Sequence, residues 1–370
     1  MEFTVNKIEL VKELSLSQGV VEKKTTIPVL SNVLIEAREQ EVTLTATDLE
    51  LSVRSVCPAV VKRPGATTLP ARKLLDYVRL LPDADLHLKV SETHAASITC
   101  GRSRTRIAGM SRENFPELPR MPAPVAQVPA PMLVNIISKT VFAISTEGSR
   151  YTLNGALLIL KPDSIIMVST DGHRLAYVEA PHSFEGISGQ MRALVAKKAM
   201  TEIQRLAMEA GPNATVALAS DENQLFFQFG ARLLITRKLT GQFPDYDRVL
   251  PRENDRIVTL IRTELEAAIQ RVSQFADERS HAVRVALSPG ELKLTCSGSE
   301  SGESEETLPV ESVAAEVQIG FNAQYLLDFL RAVSTENVQL ELKDEQSAGQ
   351  LRPSGETDYQ YRYVVMPMRI

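Results

Sequence analysis

The 370-residue sequence has no Trp, three Cys and few aromatic residues, and each scarcity narrows the possible classes of protein. Because only 5% of the residues are aromatic while 44% are hydrophobic, the cores must be built mainly from aliphatic side chains. Cys57, Cys100 and Cys296 are odd in number and widely spaced, which indicates neither a disulfide framework nor a zinc site. No apolar run has the length of a membrane span, and the N-terminus lacks the apolar core of a signal peptide. We therefore expect a cytoplasmic protein without membrane contact.

The common catalytic and cofactor motifs are also missing. The sequence has no Gly-x-x-x-x-Gly-Lys-Ser/Thr loop, no Gly-x-Ser-x-Gly elbow and no Gly-x-Gly-x-x-Gly between a strand and a helix. It therefore gives no support to an ATPase, a serine hydrolase of the common type or a Rossmann oxidoreductase. The net charge of -5 argues against a protein that grips nucleic acid tightly, although it leaves room for a local basic surface.

One pattern occurs three times along the chain in diverged form, at a spacing of about 125 residues. Each copy has an apolar helical pattern, alternating strands, a second helical pattern and further strands. Val42, Leu44 and Ala46 alternate as in a strand with one buried face. Leu74 and Val78 recur at helical spacing. The repeats predict an α+β fold of three similar domains, each with two helices packed on antiparallel sheets.

Two stretches predict the domain boundaries. MPAPVAQVPAP predicts an extended connector between the first two copies, because proline fixes φ and removes a backbone donor. The charged stretch RVLPRENDR separates the second copy from the third. We predict domains at residues 1–120, 131–247 and 248–370, with a linker at residues 121–130.

The stretch VSTDGHRLAYV, residues 168–178, sets acidic and basic residue types side by side between two apolar runs. Asp171-Gly172 predicts a hairpin turn, because both central positions of such a turn favour residues that tolerate positive φ. An acid/base or metal site that uses Asp171 and His173 is the alternative. The remaining histidines form no His-x-x-x-His pair with suitable spacing, which argues against a metal site.

Taken together, the three repeats, TDGHRL, GQFPDYDRVLP and the terminal YVVMPMR resemble the bacterial sliding clamp family, the β subunit of DNA polymerase III. The resemblance covers the whole chain. It implies three clamp-type domains and a head-to-tail homodimer that closes into a ring around double-stranded DNA, independently of sequence. It further implies a non-catalytic processivity factor for DNA replication, without cofactor or metal. The implied partners are the replicative polymerase alpha subunit, the clamp loader, and other DNA polymerases and repair proteins that carry clamp-binding peptides.

A head-to-tail interface joins two different surfaces of one chain, so its two ends should be complementary. The first domain has a basic stretch, GRSRTRIAGMSR, and the third has an acidic stretch, SESGESEETLPVE. The resemblance adds an apolar contact between Ile107 and Phe275. The predicted interface comprises Arg102, Arg104, Ile107, Phe275, Glu300, Glu303, Glu305 and Glu306.

The predicted helices carry cations that could face a duplex, although lysines on helices are most often simply solvated. The resemblance adds Lys24, Arg150 and Tyr151 as DNA contacts, with Thr152 where the family often has a second Tyr. The predicted DNA-contacting residues are Lys24, Arg72, Lys73, Arg150, Tyr151, Lys197, Lys198 and Arg205.

The resemblance gives the TDGHR stretch a different role from catalysis, as one wall of a hydrophobic cleft that binds short peptides. Such a site takes its energy from apolar burial and its direction from a few polar groups. The predicted cleft residues are Leu153, Thr170, Gly172, His173, Arg174, Leu175, Pro244, Arg248, Val249, Val364, Val365, Met366, Pro367, Met368 and Arg369. Two alternatives stay open at this point: a hydrolase or metal enzyme, and a peptide-binding scaffold of the same fold that does not load on DNA.

Overall fold

Strands and helices follow one another in the same order three times. The computed structural model describes residues 1–22, 25–298, 302–311 and 316–369. Within these ranges each copy has one strand, a helix, four strands, a second helix and three strands. The predicted pair of helices per copy is therefore present.

The bounds of these elements run in chain order. The first copy contains β1 (Glu2–Asn6), α1 (Lys7–Ser15), β2 (Asn32–Arg38), β3 (Glu41–Thr47), β4 (Leu51–Arg63), β5 (Gly65–Pro70), α2 (Ala71–Leu80), β6 (Asp85–Val90), β7 (Ala96–Cys100) and β8 (Ser103–Ile107). The second contains β9 (Ala126–Pro129), α3 (Ala130–Ser138), β10 (Gly155–Lys161), β11 (Ser164–Thr170), β12 (Arg174–Pro181), β13 (Met191–Ala196), α4 (Lys197–Ala210), β14 (Thr215–Ser220), β15 (Gln224–Phe229) and β16 (Arg232–Arg237). The third contains β17 (Arg256–Ile261), α5 (Arg262–Val272), β18 (Ala282–Ser288), β19 (Glu291–Gly298), β20 (Gly302–Pro309), β21 (Val317–Asn322), α6 (Ala323–Ala332), β22 (Asn337–Leu342), β23 (Gly349–Ser354) and β24 (Gln360–Val365).

The chain divides into two compact units. One comprises Met1–Pro131 and Thr201–Lys238, and the other comprises Met132–Met200 and Leu239–Ile370. In the first unit the strands form one sheet whose main path runs β8-β7-β6-β1-β4-β16-β15-β14-β9. In the second, one sheet runs β13-β10-β11-β12-β24-β23-β22-β17 and another runs β20-β19-β18-β21. All the pairings are antiparallel, as predicted.

Several helices begin directly where a strand ends, and at two of these junctions an asparagine caps the helix. The side chain of Asn6 accepts hydrogen bonds from the backbone N–H groups of Ile8 and Glu9 at the start of α1. Asn322 does the same for Gln324 and Tyr325 at the start of α6. These bonds satisfy donors that the first helical turn leaves without a partner, so each strand passes into its helix without a loop.

Aliphatic side chains fill the cores, as the shortage of aromatic residues predicts. In the first unit α1 packs against α2, and the buried face of α2 includes Leu74 and Val78. In the second unit α5 packs against α6. Cys57, Cys100 and Cys296 are all buried free thiols. Among the described residues, no helix is both long and apolar enough to cross a membrane.

The predicted linker at residues 121–130 is shorter than expected, because β9 lies within it and pairs with β14. Pro129 is compatible with this strand because β9 lies at the edge of its sheet, where one side needs no N–H donor. The second copy of the pattern therefore begins with β9.

Candidate functional site

The TDGHR stretch forms the connection between β11 and β12, which pair as an antiparallel hairpin. Asp171 Oδ1 accepts hydrogen bonds from the N–H groups of His173 and Arg174, each at 3.0 Å. Thr170 Oγ1 accepts one from the Gly172 N–H at 3.0 Å. Of the Asp-Gly pair only Gly172 has positive φ, at 90°. The hairpin is present as predicted, but Asp171 shapes the turn through its side chain and not through a left-handed backbone.

Arg174, a predicted cleft residue, is a buried link between four segments of the second unit. Its Nε lies 3.0 Å from Asp171 Oδ2, and its Nη1 lies 2.5 Å from Asp328 Oδ2. Nη1 also donates to the Tyr363 hydroxyl, and Nη2 donates to the Phe142 carbonyl at 2.7 Å. The side chain is only 10% exposed. The guanidinium therefore joins the hairpin, helix α6, strand β24 and the segment after α3.

The electrostatics of Arg174 match this structural role. Burial by itself lowers the pKa of the guanidinium, but Tyr363 and the carboxylate of Asp328 outweigh it, so the pKa is raised. The guanidinium carbon also lies 4.2 Å from the centre of the Tyr325 ring. With its donors occupied in this way, Arg174 holds the hairpin in place more than it offers a free hydrogen-bond donor to a ligand.

The C-terminal tail runs beside the hairpin. Strand β24 pairs with β12, and beyond it the Met366 N–H donates to the His173 carbonyl at 2.9 Å. Two residues later the Met368 N–H donates to the Gly320 carbonyl at 2.8 Å. The structure thus brings the hairpin and the tail together, as the sequence predicted, and ties the tail to the edge of β21.

An apolar cluster underlies this region. Its buried members include Leu175 and Val364, both predicted cleft residues, together with Leu250. Partly buried apolar side chains pack against the cluster and give it an accessible surface: Leu239, Phe243, Tyr246 and Ala348. Sequence reasoning missed these four. Phe243 and Tyr246 lie in the FPDY motif, which was a usable signal, whereas no local signal marks Leu239 or Ala348.

The predicted cleft residues differ in exposure. Five are buried and contribute to the core below the surface: Leu153, Thr170, Leu175, Val364 and Val365. Seven are exposed: Gly172, His173, Pro244, Arg248, Val249, Met366 and Arg369. The intermediate ones are Arg174, Pro367 and Met368.

Two surface cavities flank the loop after β22. One, of about 520 Å³, is lined by Arg248 and Val249 among others, and includes Ala348 from the loop. The other, of about 620 Å³, is lined by Pro367, Met368 and Arg369 among others. The predicted cleft residues at the interdomain linker and in the tail therefore border real concavities.

Arg150 and Tyr151, predicted to contact DNA, lie next to the same hairpin. Arg150 Nη1 donates to the Asp171 carbonyl at 3.0 Å, and its Nε lies 3.3 Å from Glu147. A Cβ added to Gly172 would lie 2.7 Å from Arg150 Nη1, so only glycine leaves room for this contact without a shift. Tyr151 is largely exposed and offers a free aromatic face.

The other predicted DNA contacts lie on helices. Arg72 and Lys73 lie on α2, where Arg72 donates to the Val21 carbonyl at 3.4 Å and Lys73 is exposed. Lys197 and Lys198 begin α4. Arg205 is bound to Glu202 and Glu209 of the same helix. Lys24 lies outside the described residues.

The predicted dimer residues occupy two sheet edges. Strand β8, with Arg104, ends the sheet of the first unit, and β20, with Glu303, Glu305 and Glu306, ends the small sheet of the second. Arg102 lies in the turn before β8 and not in the strand, because Gly101-Arg102 makes the β7–β8 connection. Phe275 is partly exposed, whereas Ile107 is 4% exposed and already packed in its own unit. Glu300 lies outside the described residues.

Nothing in the described ranges gathers three or more His, Cys, Asp or Glu side chains as a metal site would. His173 is exposed, and its backbone carbonyl is occupied by the Met366 N–H. The arrangement around the hairpin offers an apolar surface with polar edges, which suits binding of a peptide segment.

Comparisons with known proteins agree over the full length. Three family models match in order: the N-terminal, central and C-terminal domains of DNA polymerase III beta subunit, at residues 1–119, 127–245 and 247–369. The beta sliding clamp of Pseudomonas putida is 36% identical over 373 residues, and that of Synechococcus elongatus is 34% identical over 376 residues, each covering 100% of both chains. The crystal structure of a DnaN sliding clamp from Pseudomonas aeruginosa bound to griselimycin matches with a TM-score of 0.93 at 34% identity, again over 100% of both chains.

A threefold α+β repeat on antiparallel sheets that matches a DnaN sliding clamp over its whole length defines a clamp-type DNA replication protein. The chain belongs to the DNA polymerase III beta subunit family, the bacterial sliding clamps. It is accordingly a DNA sliding clamp, a non-catalytic processivity factor of replication.

Proposed function

We propose that two copies of this chain associate head to tail into a ring that encloses double-stranded DNA without reading its sequence. The ring tethers the replicative polymerase to its template and lets other DNA enzymes dock through the cleft. We take the domains to meet near residues 120 and 247, and the protein to act in the cytoplasm. The observation that carries the proposal is the pair of complementary edge strands, β8 and β20.

The internal repeats support pairing between these two edges. The fourth strand of one copy pairs with the last strand of the next copy twice within the chain, as β4 with β16 and β12 with β24. The fourth strand of the third copy is β20, and the last strand of the first copy is β8. Among the described residues, each pairs on one side only. A head-to-tail partner would repeat the same junction and leave no open edge at either place.

The β4 and β16 register predicts which residues meet. There the first residue of β4, Leu51, lies opposite the fifth residue of β16, Thr236. Transferred to the dimer, the same register sets Gly302 opposite Ile107. Two ion pairs then follow along the strands: Glu303 opposite Arg106, and Glu305 opposite Arg104. Opposite charges directly across an antiparallel pair contribute roughly 0.2–1 kcal/mol each.

The same register supports the predicted apolar contact. A Cβ added to Gly302 would lie 4.0 Å from the Phe275 ring, so Phe275 packs close to the start of β20. Ile107, opposite Gly302, would approach Phe275 in the dimer. Two acidic residues on β20 already have partners in their own chain, since Lys293 lies 2.7 Å from Glu305 and Arg271 pairs with Glu306. Glu303 has no ion pair with any described residue, which leaves it available to Arg106.

A modestly basic lining suits a protein that must slide. Each phosphate contact adds roughly 0.9 to the slope of log affinity against log salt, so many tight contacts would hold the ring in place. The predicted contacts on α2 and α4, together with Arg150 and Tyr151, are few. Retention on DNA would then come from closure of the ring rather than from affinity.

The cleft between the hairpin, the interdomain linker and the tail would take the short peptides of partner proteins. These partners are the polymerase alpha subunit, the clamp loader, and other polymerases and repair proteins with clamp-binding peptides. The thioether side chains of Met366 and Met368 suit several partners, because they are unbranched and adapt their shape.

The deciding experiment compares circular and linear DNA. The protein is loaded with clamp loader and ATP on nicked circular DNA, and bound protein is followed by gel filtration before and after linearisation. We expect retention on the circle and rapid loss on the linear form. Equal retention on both would contradict a topological link, and loss of loading with intact peptide binding would favour a scaffold that does not enclose DNA.

A further inference from the structure

We propose that the cavity between β18, β21 and the C-terminal tail binds the carboxylates of an acidic segment that flanks the apolar part of a docking peptide. This inference rests on the proposed peptide cleft and adds a charged subsite at its end. The cavity measures about 620 Å³, and its wall includes Arg284, Arg369, Glu345, Gln318 and Met368.

The two arginines give the cavity its chemistry. Arg284 projects from β18 on the exposed face of its strand, and Arg369 is exposed in the tail. Neither forms an ion pair with any described residue, unlike Arg271, which pairs with Glu306. Among the described residues of the wall, Glu345 is the one acidic residue, so the two guanidinium groups outnumber it. Guanidinium groups without a carboxylate partner match carboxylates in a planar, two-bond geometry.

The C-terminal tail runs from the proposed cleft to the cavity. The tail begins at Met366, whose N–H is bound to the hairpin carbonyl of His173. It passes to Met368, whose N–H is bound to Gly320 on β21, a residue of the cavity wall. Three extended residues span roughly 10 Å. A peptide that packs along Met366 and Met368 would therefore bring a residue only a few positions from its apolar motif to the arginines.

The expected gain in peptide affinity from an acidic flank is moderate, because both guanidinium groups face solvent. Surface ion pairs are weak and screened by salt, but a pair of cations at a concave site acts on the same carboxylates. We expect an acidic flank to tighten binding about three- to tenfold at low ionic strength, with the gain shrinking as salt is added.

The test uses the full-length protein and three labelled versions of the clamp-binding peptide from this organism's polymerase alpha subunit. One has neutral Gly-Ser flanks, and the other two carry three Glu at the N-terminal or the C-terminal end. Dissociation constants are measured by fluorescence anisotropy for the wild type, Arg284→Gln and Arg369→Gln. The matched control, Arg237→Gln, removes an equal charge from an exposed arginine outside the cavity.

We expect one acidic peptide to bind the wild type three- to tenfold more tightly than the neutral peptide. That advantage should vanish in Arg284→Gln and Arg369→Gln and persist in Arg237→Gln, while the neutral peptide binds the wild type, Arg284→Gln and Arg237→Gln alike. If the neutral peptide binds but neither acidic flank helps, or if the gain survives in Arg284→Gln, the subsite is refuted and the cleft stands. If no peptide binds the wild type, the proposed cleft itself fails, and the subsite fails with it.

Discussion

Replacing Arg174 with Ala would distinguish a structural link from a ligand contact. The substitution removes the cation that lies 3.0 Å from Asp171 and 2.5 Å from Asp328. It also removes the donors to the Tyr363 hydroxyl and the Phe142 carbonyl. Arg174 and its four partners all belong to the second unit, so the loss of stability should appear in the unfolding of that unit.

The magnitude follows from what is left behind. The side chains of Asp171 and Asp328 are only 16% and 20% exposed, so both carboxylates stay largely desolvated without their cation. Breaking a buried pair by removing one partner costs about 3–5 kcal/mol. Because solvent partly reaches both carboxylates, we expect a cost at the lower end of this range. Loss of the contact between the guanidinium and the Tyr325 ring adds to that cost. We expect the free energy of unfolding to fall by about 3 kcal/mol.

Urea unfolding followed by far-ultraviolet circular dichroism measures this change, since the chain has no Trp for fluorescence. Because a chain of several domains need not unfold in one step, the transition of the second unit is compared between variants. Arg248→Ala is the matched control: its side chain is 86% exposed, and its one ion-pair partner within the described ranges is Asp245 at the surface. We expect it to change stability by less than about 0.5 kcal/mol. An Arg174→Ala protein as stable as the wild type, but unable to bind peptide, would refute the structural role.

Three further predictions follow from other parts of the chain. Arg106→Glu should raise the dissociation constant of the dimer about two- to thirtyfold by analytical ultracentrifugation, and adding Glu303→Arg should restore it; a double variant as weakly dimeric as the single one would contradict the transferred register. Gly172→Ala should lower the free energy of unfolding by roughly 1–2 kcal/mol, because the φ of Gly172 is 90° and an added Cβ would displace Arg150. The control is Leu49→Gly, at the same turn position of the first repeat, where φ is 78°; it should change the free energy of unfolding by less than about 0.5 kcal/mol. Equal effects of the two substitutions would refute the reasoning. Lys139 is 5% exposed, and burial lowers its pKa to about 8, so between about pH 8 and pH 10 the unfolded chain binds more protons and stability from this group rises with pH. Lys139→Met should therefore stabilise the protein by about 1–3 kcal/mol at pH 7, with the advantage fading towards pH 10 in urea titrations; a constant difference across that range would contradict the pKa shift.

Most of the fold could be predicted from the repeat pattern in the sequence. Apolar alternation and helical spacing predicted three copies with two helices each, because these periods reflect which face each element buries. The pattern missed β9, since a four-residue strand that ends in Pro129 has the composition of a connector. Its pairing with β14 depends on residues about 90 positions away, which no local pattern encodes.

The candidate site was predicted less completely. The family motifs placed the hairpin, the interdomain linker and the tail in one region, and the structure brings the hairpin and the tail together. They did not separate surface from core: Val364 and Leu175, which lie opposite each other across β12 and β24, are both buried in the apolar cluster. Ala348 and Leu239 were missed because neither lies within a motif, and their place against the apolar cluster depends on residues distant in sequence.

The TDGHR turn shows why its chemistry could not be decided from its own residues. In the first repeat, Thr47 and Asp48 make the same turn: Thr47 accepts from the Leu49 N–H at 3.0 Å, and Asp48 accepts from the next two N–H groups. The Thr-Asp pair is therefore a device for turning the chain, used twice, and its carboxylate is already bound to backbone in both places. What differs is the middle residue. Leu49 projects into solvent at that position, whereas Gly172 leaves room for the guanidinium of Arg150, so the distinct surface of the second turn comes from a residue 22 positions earlier.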